Sequence, residues 1–174
     1  MIASVSSRYP DFHLTPSAIG AAVAEGTGNG IKIAVIDSGV EASHPRLANL
    51  ELADDLIVTR SGGSLHVREG DAEDIYGHGT AVAGILRALA PEAQIGSFRV
   101  LGAVGTSEPV IRQAVKLAFD KGYQILNCSF GCVAKRELLP GFKSWIDEAY
   151  LRNCHVVAAG SNVDSGIVEW PAHF

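Results

Sequence analysis

Ile33-Ala34-Val35-Ile36 is an apolar run, partly β-branched and too short for a helix, and it delivers an acid at its end in Asp37-Ser38-Gly39-Val40. A chain that buries such a segment must place the carboxylate where hydrogen bonds replace lost water, because an unpartnered buried charge is costly. Downstream, Asp74-Ile75-Tyr76-Gly77-His78-Gly79-Thr80-Ala81-Val82-Ala83-Gly84 sets a histidine between two glycines at the mouth of a small-residue helix. The glycines remove side-chain bulk, so another backbone or a substrate can approach the imidazole. Asp37 reads in two ways, as a turn-forming Asp before Ser-Gly or as a carboxylate that orients an imidazole by accepting its Nδ1–H. An acid closing a strand and an imidazole opening a helix are two parts of a device that makes a hydroxyl nucleophilic.

The rest of the chain alternates. Thr15-Pro16-Ser17 starts a helix through Ile19 to Ala24, ended by Gly26-Thr27-Gly28-Asn29-Gly30, so residues 1–29 read as a lead-in packed outside the core. Lys32 to Ile36 is a strand, Ser43-His44-Pro45 a turn, and residues 50–73 an irregular or hairpin region around Ser61-Gly62-Gly63-Ser64. From His78, small and apolar residues recur at helical spacing through Ala81, Ile85 and Leu89 until Pro91, with Ala81, Ala83 and Gly84 small enough for tight packing on a sheet. Gln94 to Val100 is a strand. Ser107-Glu108-Pro109 then offers a hydroxyl cap, a first-turn acid and an N-terminal proline to a helix whose apolar face is Val110, Ile111, Ala114, Val115, Ala118 and Phe119, stopping at Gly122. Tyr123 to Cys128 is a strand, Phe142 to Leu151 an amphipathic helix and His155 to Ala159 a strand. Strands that alternate with helices and are apolar on both faces predict an α/β fold, a parallel sheet between two helix layers. Functional residues of such sheets gather beyond the carboxyl ends of the strands, where Asp37, Ser129 and Ser161/Asn162 all fall.

Composition narrows the partners. At 174 residues and 47% hydrophobic the chain has room for one domain with a sizeable core. Its net charge of −5, with no lysine- or arginine-rich run, recommends neither nucleic acid nor an anionic membrane surface. No apolar stretch approaches the ~20 residues that span a bilayer. Residues 1–10 lack a basic region followed by an apolar one, so no signal peptide is read. Cys128, Cys132 and Cys154 are an odd number that does not suit a disulfide framework, which points to a reducing, cytoplasmic setting. The same cysteines offer a thiol nucleophile for His78 or a zinc site as fallbacks, against the commoner outcome of buried apolar cysteine. A flavodoxin-like nucleotide module fits the alternation alone but lacks a glycine-rich loop after the first strand.

Taken in order, these motifs resemble the subtilisin-like serine proteases: Asp37-Ser38-Gly39, His44-Pro45, the His78 motif, Val100-Leu101-Gly102, Asn127-Cys128-Ser129-Phe130-Gly131, Val156-Val157-Ala158-Ala159-Gly160 and Trp170-Pro171-Ala172. The resemblance runs from about residue 30 to 174, giving a peptidase domain over 30–174. It implies that Asp37 is the triad acid and His78 the general base. It also implies that Gly102 with its neighbours to Gly105, and Ser129, Phe130 and Gly131, edge a groove in which a peptide or protein substrate lies as an added strand. The family's oxyanion-hole Asn directly follows Ala-Ala-Gly; here Ser161 holds that place and Asn162 comes one residue later, so Asn162 is the candidate donor. No cofactor is implied. Arg46 stands where the family often has a calcium-binding acid, so no metal is expected there, and Asp54-Asp55 and Asp71/Glu73/Asp74 read as solvated loop charge.

The family's nucleophile lies in a Gly-Thr-Ser stretch beyond the Pro-Ala segment, and none follows Pro171-Ala172 up to Phe174; the Gly105-Thr106-Ser107 of this chain stands far ahead of that place. The resemblance therefore implies a serine endopeptidase domain truncated before its serine and inactive alone, the hydroxyl coming from a missing C-terminal segment or a second chain. The alternative is a non-catalytic relative that keeps the cleft and binds peptides, a regulatory pseudoprotease.

Overall fold

The computed structural model describes residues 15–47, 50–102, 105–161 and 166–174. Four helices are present there: α1 (Pro16–Glu25), α2 (His78–Leu89), α3 (Glu108–Asp120) and α4 (Leu139–Leu151). The strands are β1 (Lys32–Asp37), β2 (Asp55–Ser61), β3 (Ser64–Glu69), β4 (Gln94–Arg99), β5 (Ile125–Cys128), β6 (Cys132–Val133), β7 (His155–Ala158) and β8 (Glu169–Trp170). Six of them form one sheet in the order β3-β2-β4-β1-β5-β7, parallel throughout except for β3 against β2.

Strand alternation divides the core into two layers. Ala34 and Ile36 of β1, Phe98 of β4 and Leu126 and Cys128 of β5 point to one face, where they meet Val110, Ile111, Ala114, Val115, Ala118 and Phe119 of α3 and Phe142, Trp145 and Ala149 of α4. The whole apolar face expected for α3 is buried. Val35 and Ile95 point to the other face and pack with Val40, Leu47, Leu50 and Ala83 of α2. This is the predicted three-layer arrangement, with β1 at its centre.

Residues 50–73 hold a hairpin, one of the two arrangements expected there: β2 and β3 close it through Gly62 and Gly63, both at positive φ (57° and 85°), and β2 joins the main sheet beside β4. Other expectations need correction. The recurrent residues Ala81, Ile85 and Leu89 lie on the outer face of α2, Ile85 being 61% and Leu89 49% exposed, while Gly79, Thr80 and Ala83 face the sheet. The sheet-facing side of this helix is set by the need for small residues, and apolar periodicity picked out the opposite one. Ser107 gives α3 no side-chain cap; its carbonyl accepts instead from the Val110 and Ile111 N–H groups at 3.0 and 3.1 Å. The short antiparallel pair β6–β8 carries no sequence pattern long enough to read. Helix α1 buries no residue and is held at its start by Ala18 N–H on Thr15 Oγ1 at 3.2 Å. No helix among the described residues is long and apolar enough to cross a membrane.

The acids read as loop charge are largely structural. Asp55 Oδ2 accepts the Ala72 N–H at 2.7 Å. Asp54 accepts from Lys121 Nζ and Tyr123 Oη at 2.7 Å each, with Lys32 Nζ at 4.0 Å, and so ties the start of β2 to the approach to β5. Burial opposes the charge of Asp54, and the Lys121 and Tyr123 donors with the two lysine charges outweigh it, holding the carboxyl below its usual range. A depressed folded-state value means stability that is present above the unfolded carboxylate range and lost as pH falls through the folded value. Asp54→Asn is expected to cost roughly 1–3 kcal/mol at neutral pH. It should also shrink the loss of stability on acidification, both read from urea unfolding midpoints between about pH 7 and pH 3.

Candidate active site

Asp37 ends β1 at the point where chain connectivity changes sides, β4 lying on one flank and β5 on the other. Register sets Ile36 beside Cys128 and Cys128 beside Ala158, so Asp37, Ser129 and Ala159 emerge together at the carboxyl edge of the sheet. The Asp37 side chain is fully buried. Its carbonyl accepts from the Val100 and Leu101 N–H groups at 2.9 and 3.2 Å, which fixes the backbone, and its Oδ1 accepts the Ser38 N–H at 2.7 Å.

His78 is the first residue of α2, after Gly77 in a left-handed turn at φ 77°. Its Nδ1 lies 2.9 Å from both oxygens of Asp37, while the ring remains 55% exposed. A carboxylate only accepts, so Nδ1 carries the hydrogen and the neutral ring presents Nε2 as a bare, basic nitrogen. No described residue bonds Nε2. Asp37 is thus more than a turn aspartate in this geometry, both of its carboxylate oxygens lying within hydrogen-bond distance of the imidazole.

Two glycines make this approach feasible. A Cβ at Gly79 would fall 2.1 Å from the Gly39 carbonyl oxygen and 3.1 Å from Asp37 Cβ. Gly39 has φ 115°, and a Cβ there would meet the Glu73 carbonyl oxygen at 2.2 Å. The loop before α2 is bound down by Asp74, which reads in the sequence as solvated loop charge. Its Oδ2 accepts from Thr80 N at 2.8 Å and Thr80 Oγ1 at 2.7 Å, and its Oδ1 accepts from Ser38 Oγ at 2.7 Å and Tyr76 N at 3.0 Å. Burial works against its charge, and these bonds outweigh it, keeping the Asp74 carboxyl below the usual range. The signal was present as an acid four residues before the histidine and a hydroxyl two after it, a side-chain cap for the helix start.

The two groove edges differ. Gly102 exchanges N–H···O bonds with Gly105 at 3.1 and 2.9 Å, and its carbonyl also accepts Tyr76 Oη at 3.0 Å, so its polar groups are occupied. A pocket of about 510 Å³ opens beside it, lined in part by Ile75, Arg99, Leu101 and Gly105. Among the described residues Ser129, Phe130 and Gly131 make no backbone hydrogen bond, which leaves that segment open to pairing. Phe130 turns its ring into the α3–α4 core, so only its backbone remains for the groove wall expected of it. Ser129 Oγ accepts Asn127 Nδ2 at 2.7 Å. Asn162 lies outside the described residues.

For Cys128 the thiol fallback fails on geometry. Cys128 is fully buried, pointing to the face opposite the Asp37 side chain, and burial first, then the Cys154 and Asp37 charges, raise its thiol far above its usual range. Burial pushes Cys154 up to about 11, with Arg152 opposing. Burial also raises Cys132, which sits in β6. No group of three His, Cys, Asp or Glu residues among those described is placed to hold a metal ion.

Comparison with known proteins places this geometry in context. The family model described as Peptidase_S8, Subtilase family, matches residues 28–174. Subtilisin Savinase from Lederbergia lenta is 34% identical over 158 residues, covering 85% of this chain and 54% of that protein. Thermitase from Thermoactinomyces vulgaris is 27% identical over 158 residues, covering 84% and 53%. Among solved structures, the nisin leader peptidase NisP from Lactococcus lactis superposes with a TM-score of 0.69 at 26% identity, over 82% of this chain and 47% of that one. A lanthipeptide protease gives 0.68 at 23% identity over 89% and 49%, a likeness of fold. The chain thus spans about half the length of these relatives.

Gly79→Ala is expected to drive apart the Gly39 carbonyl and the start of α2. The overpacking should cost about 1–3 kcal/mol or more. Thermal unfolding reads the loss, and nuclear magnetic resonance should show the His78 ring released from Asp37 while the α3–α4 layer keeps its shifts.

Proposed function

The chain belongs to the subtilase family, and from that premise we propose that it supplies the acid and base of a serine endopeptidase. The observation that carries this is the His78 Nδ1 contact at 2.9 Å with a fully buried Asp37, beside an exposed Nε2. In this reading Nε2 takes the proton of a serine hydroxyl as that oxygen attacks a peptide carbonyl, and later returns it to the leaving amine. Asp37 keeps Nδ1 protonated and stabilises the imidazolium that forms. The substrate is an extended peptide or protein segment pairing along Ser129–Gly131, whose backbone is free to bond, with the Gly102–Gly105 turn as the opposite wall. Asn162 is assigned the oxyanion donor on its place in the chain after β7.

The serine comes from outside residues 1–174, on a further segment of the domain or a second polypeptide. The exposed apolar face of α2, the 57% exposed Val157 on β7 and the coverage of about half of each relative support that assignment. Residues 30–174 make up the peptidase part and 1–29 a lead-in. Three free cysteines suit a reducing, cytoplasmic setting. One observation favours a second reading, a peptide-binding pseudoprotease: the unpaired Ser129–Gly131 edge needs no nucleophile to hold a strand.

Complementation tests the proposal. The chain alone is expected to take no label from a serine-directed fluorophosphonate. Mixed with a polypeptide carrying the C-terminal half of a subtilase domain, it should hydrolyse an extended peptide. That activity should fall about 10⁶-fold in His78→Ala, as loss of the base costs in subtilisin, and about 10⁴-fold in Asp37→Asn. Labelling of the chain alone, or complemented hydrolysis indifferent to His78→Ala, contradicts the proposal. Peptide binding without hydrolysis in the mixture favours the pseudoprotease.

A further inference from the structure

Ser38 follows the acid and is itself fully buried, and its single hydroxyl lies between two carboxylates. Its Oγ is 2.7 Å from Asp74 Oδ1 and 3.1 Å from Asp37 Oδ1, and it accepts the Gly79 N–H at 3.3 Å. A hydroxyl has one hydrogen to give. The shorter contact assigns it to Asp74, so the Asp37 oxygen beside it keeps only the Ser38 N–H and the His78 Nδ1–H as donors.

We infer that Asp74 is a positioning residue for the Asp37–His78 pair, acting through Ser38. By drawing off the Ser38 hydroxyl proton it reserves the lone pairs of Asp37 for the imidazole. By binding the Thr80 N–H and hydroxyl it fixes the helix turn that carries His78. One carboxylate thereby joins the strand end that holds the acid to the helix start that holds the base. The charged and titratable groups around it come from every side. Asp37 ends β1, Glu41 follows it with its N–H on Thr80 Oγ1 at 2.9 Å, and His78 and Tyr76 flank the α2 start. Arg99 from β4 reaches Asp71 at 3.4 Å and the Glu73 carbonyl at 3.5 Å on the same loop. The low-lying carboxyl of Asp74 is consistent with charge held through neutral pH. The inference takes its catalytic meaning from the peptidase reading, yet its test needs no hydrolysis.

The test follows the His78 Nδ1–H proton by nuclear magnetic resonance in the full 174-residue chain. Asp74→Asn replaces the anionic acceptor of the Ser38 hydroxyl by a weaker neutral amide, so the hydroxyl turns to the Asp37 carboxylate as a competing donor and the Nδ1–H signal should move upfield with the fold retained. In a Ser38→Ala background the same Asp74→Asn change should produce little of that movement, since no hydroxyl is left to redirect. A folded Asp74→Asn chain with the signal at its wild-type position overturns the inference, as does an equal shift in both backgrounds. Should Asp74→Asn fail to fold, acid titration of the wild-type chain decides. The Nδ1–H signal must then move in step with the carboxyl carbon of Asp74, and a signal that stays fixed while that carbon titrates overturns the inference. Failure here leaves the complementation assay untouched, and loss of complemented activity leaves this coupling intact.

Discussion

A backbone meets a backbone where Gly79 lies against the carbonyl of Gly39, and the candidate site depends on that contact. A single methyl group at Gly79 would sit 2.1 Å from the oxygen, so any other residue pushes the helix start away from the strand end. Only with the two segments this close does an imidazole on the first helical residue reach both oxygens of an acid on the last strand residue. The interaction itself is a charge-assisted hydrogen bond between a buried acceptor and a half-exposed ring. Burial keeps the carboxylate from water and exposure keeps Nε2 open to solvent, and neither property follows from the pair alone.

The sheet supplies the rest of the separation. Alternation along β1 and β5 sends Asp37 toward α2 and Cys128 toward α3, so the acid and the nearest thiol face opposite layers and cannot share one base. The parallel register brings the ends of β1, β5 and β7 to one edge, with β1 at the point where connectivity changes sides. Three layers hold that edge, yet the outer faces of α2 and β7 carry large apolar residues in the open. In the proposed reading those faces and the coverage of about half of its relatives belong together, with the hydroxyl that the Asp37–His78 pair would serve lying elsewhere.

Much of this was legible in the residues because it rests on short-range rules. The buried face of α3 and the strand ending at Asp37 follow from spacing and chain length alone. The α2 orientation was not legible, because Ile85 and Leu89 outshine Gly79, Thr80 and Ala83 on any apolar measure while the sheet selects for smallness. Asp54 and Asp74 read as solvated charge because their partners, Lys121, Tyr123, Ser38 and Thr80, converge only in three dimensions. The occupied backbone of Gly102 depends likewise on Tyr76, a residue with no motif to mark it. Sequence found the two side chains that meet, and the buried bonds that make them meet came from the fold.

The most direct measurement is a crystal structure of this chain at a resolution that places the imidazole. The account predicts His78 Nδ1 at about 3 Å from both Asp37 oxygens, with Nε2 facing solvent. An imidazole turned away from Asp37, or core side chains packed between the two, contradicts it.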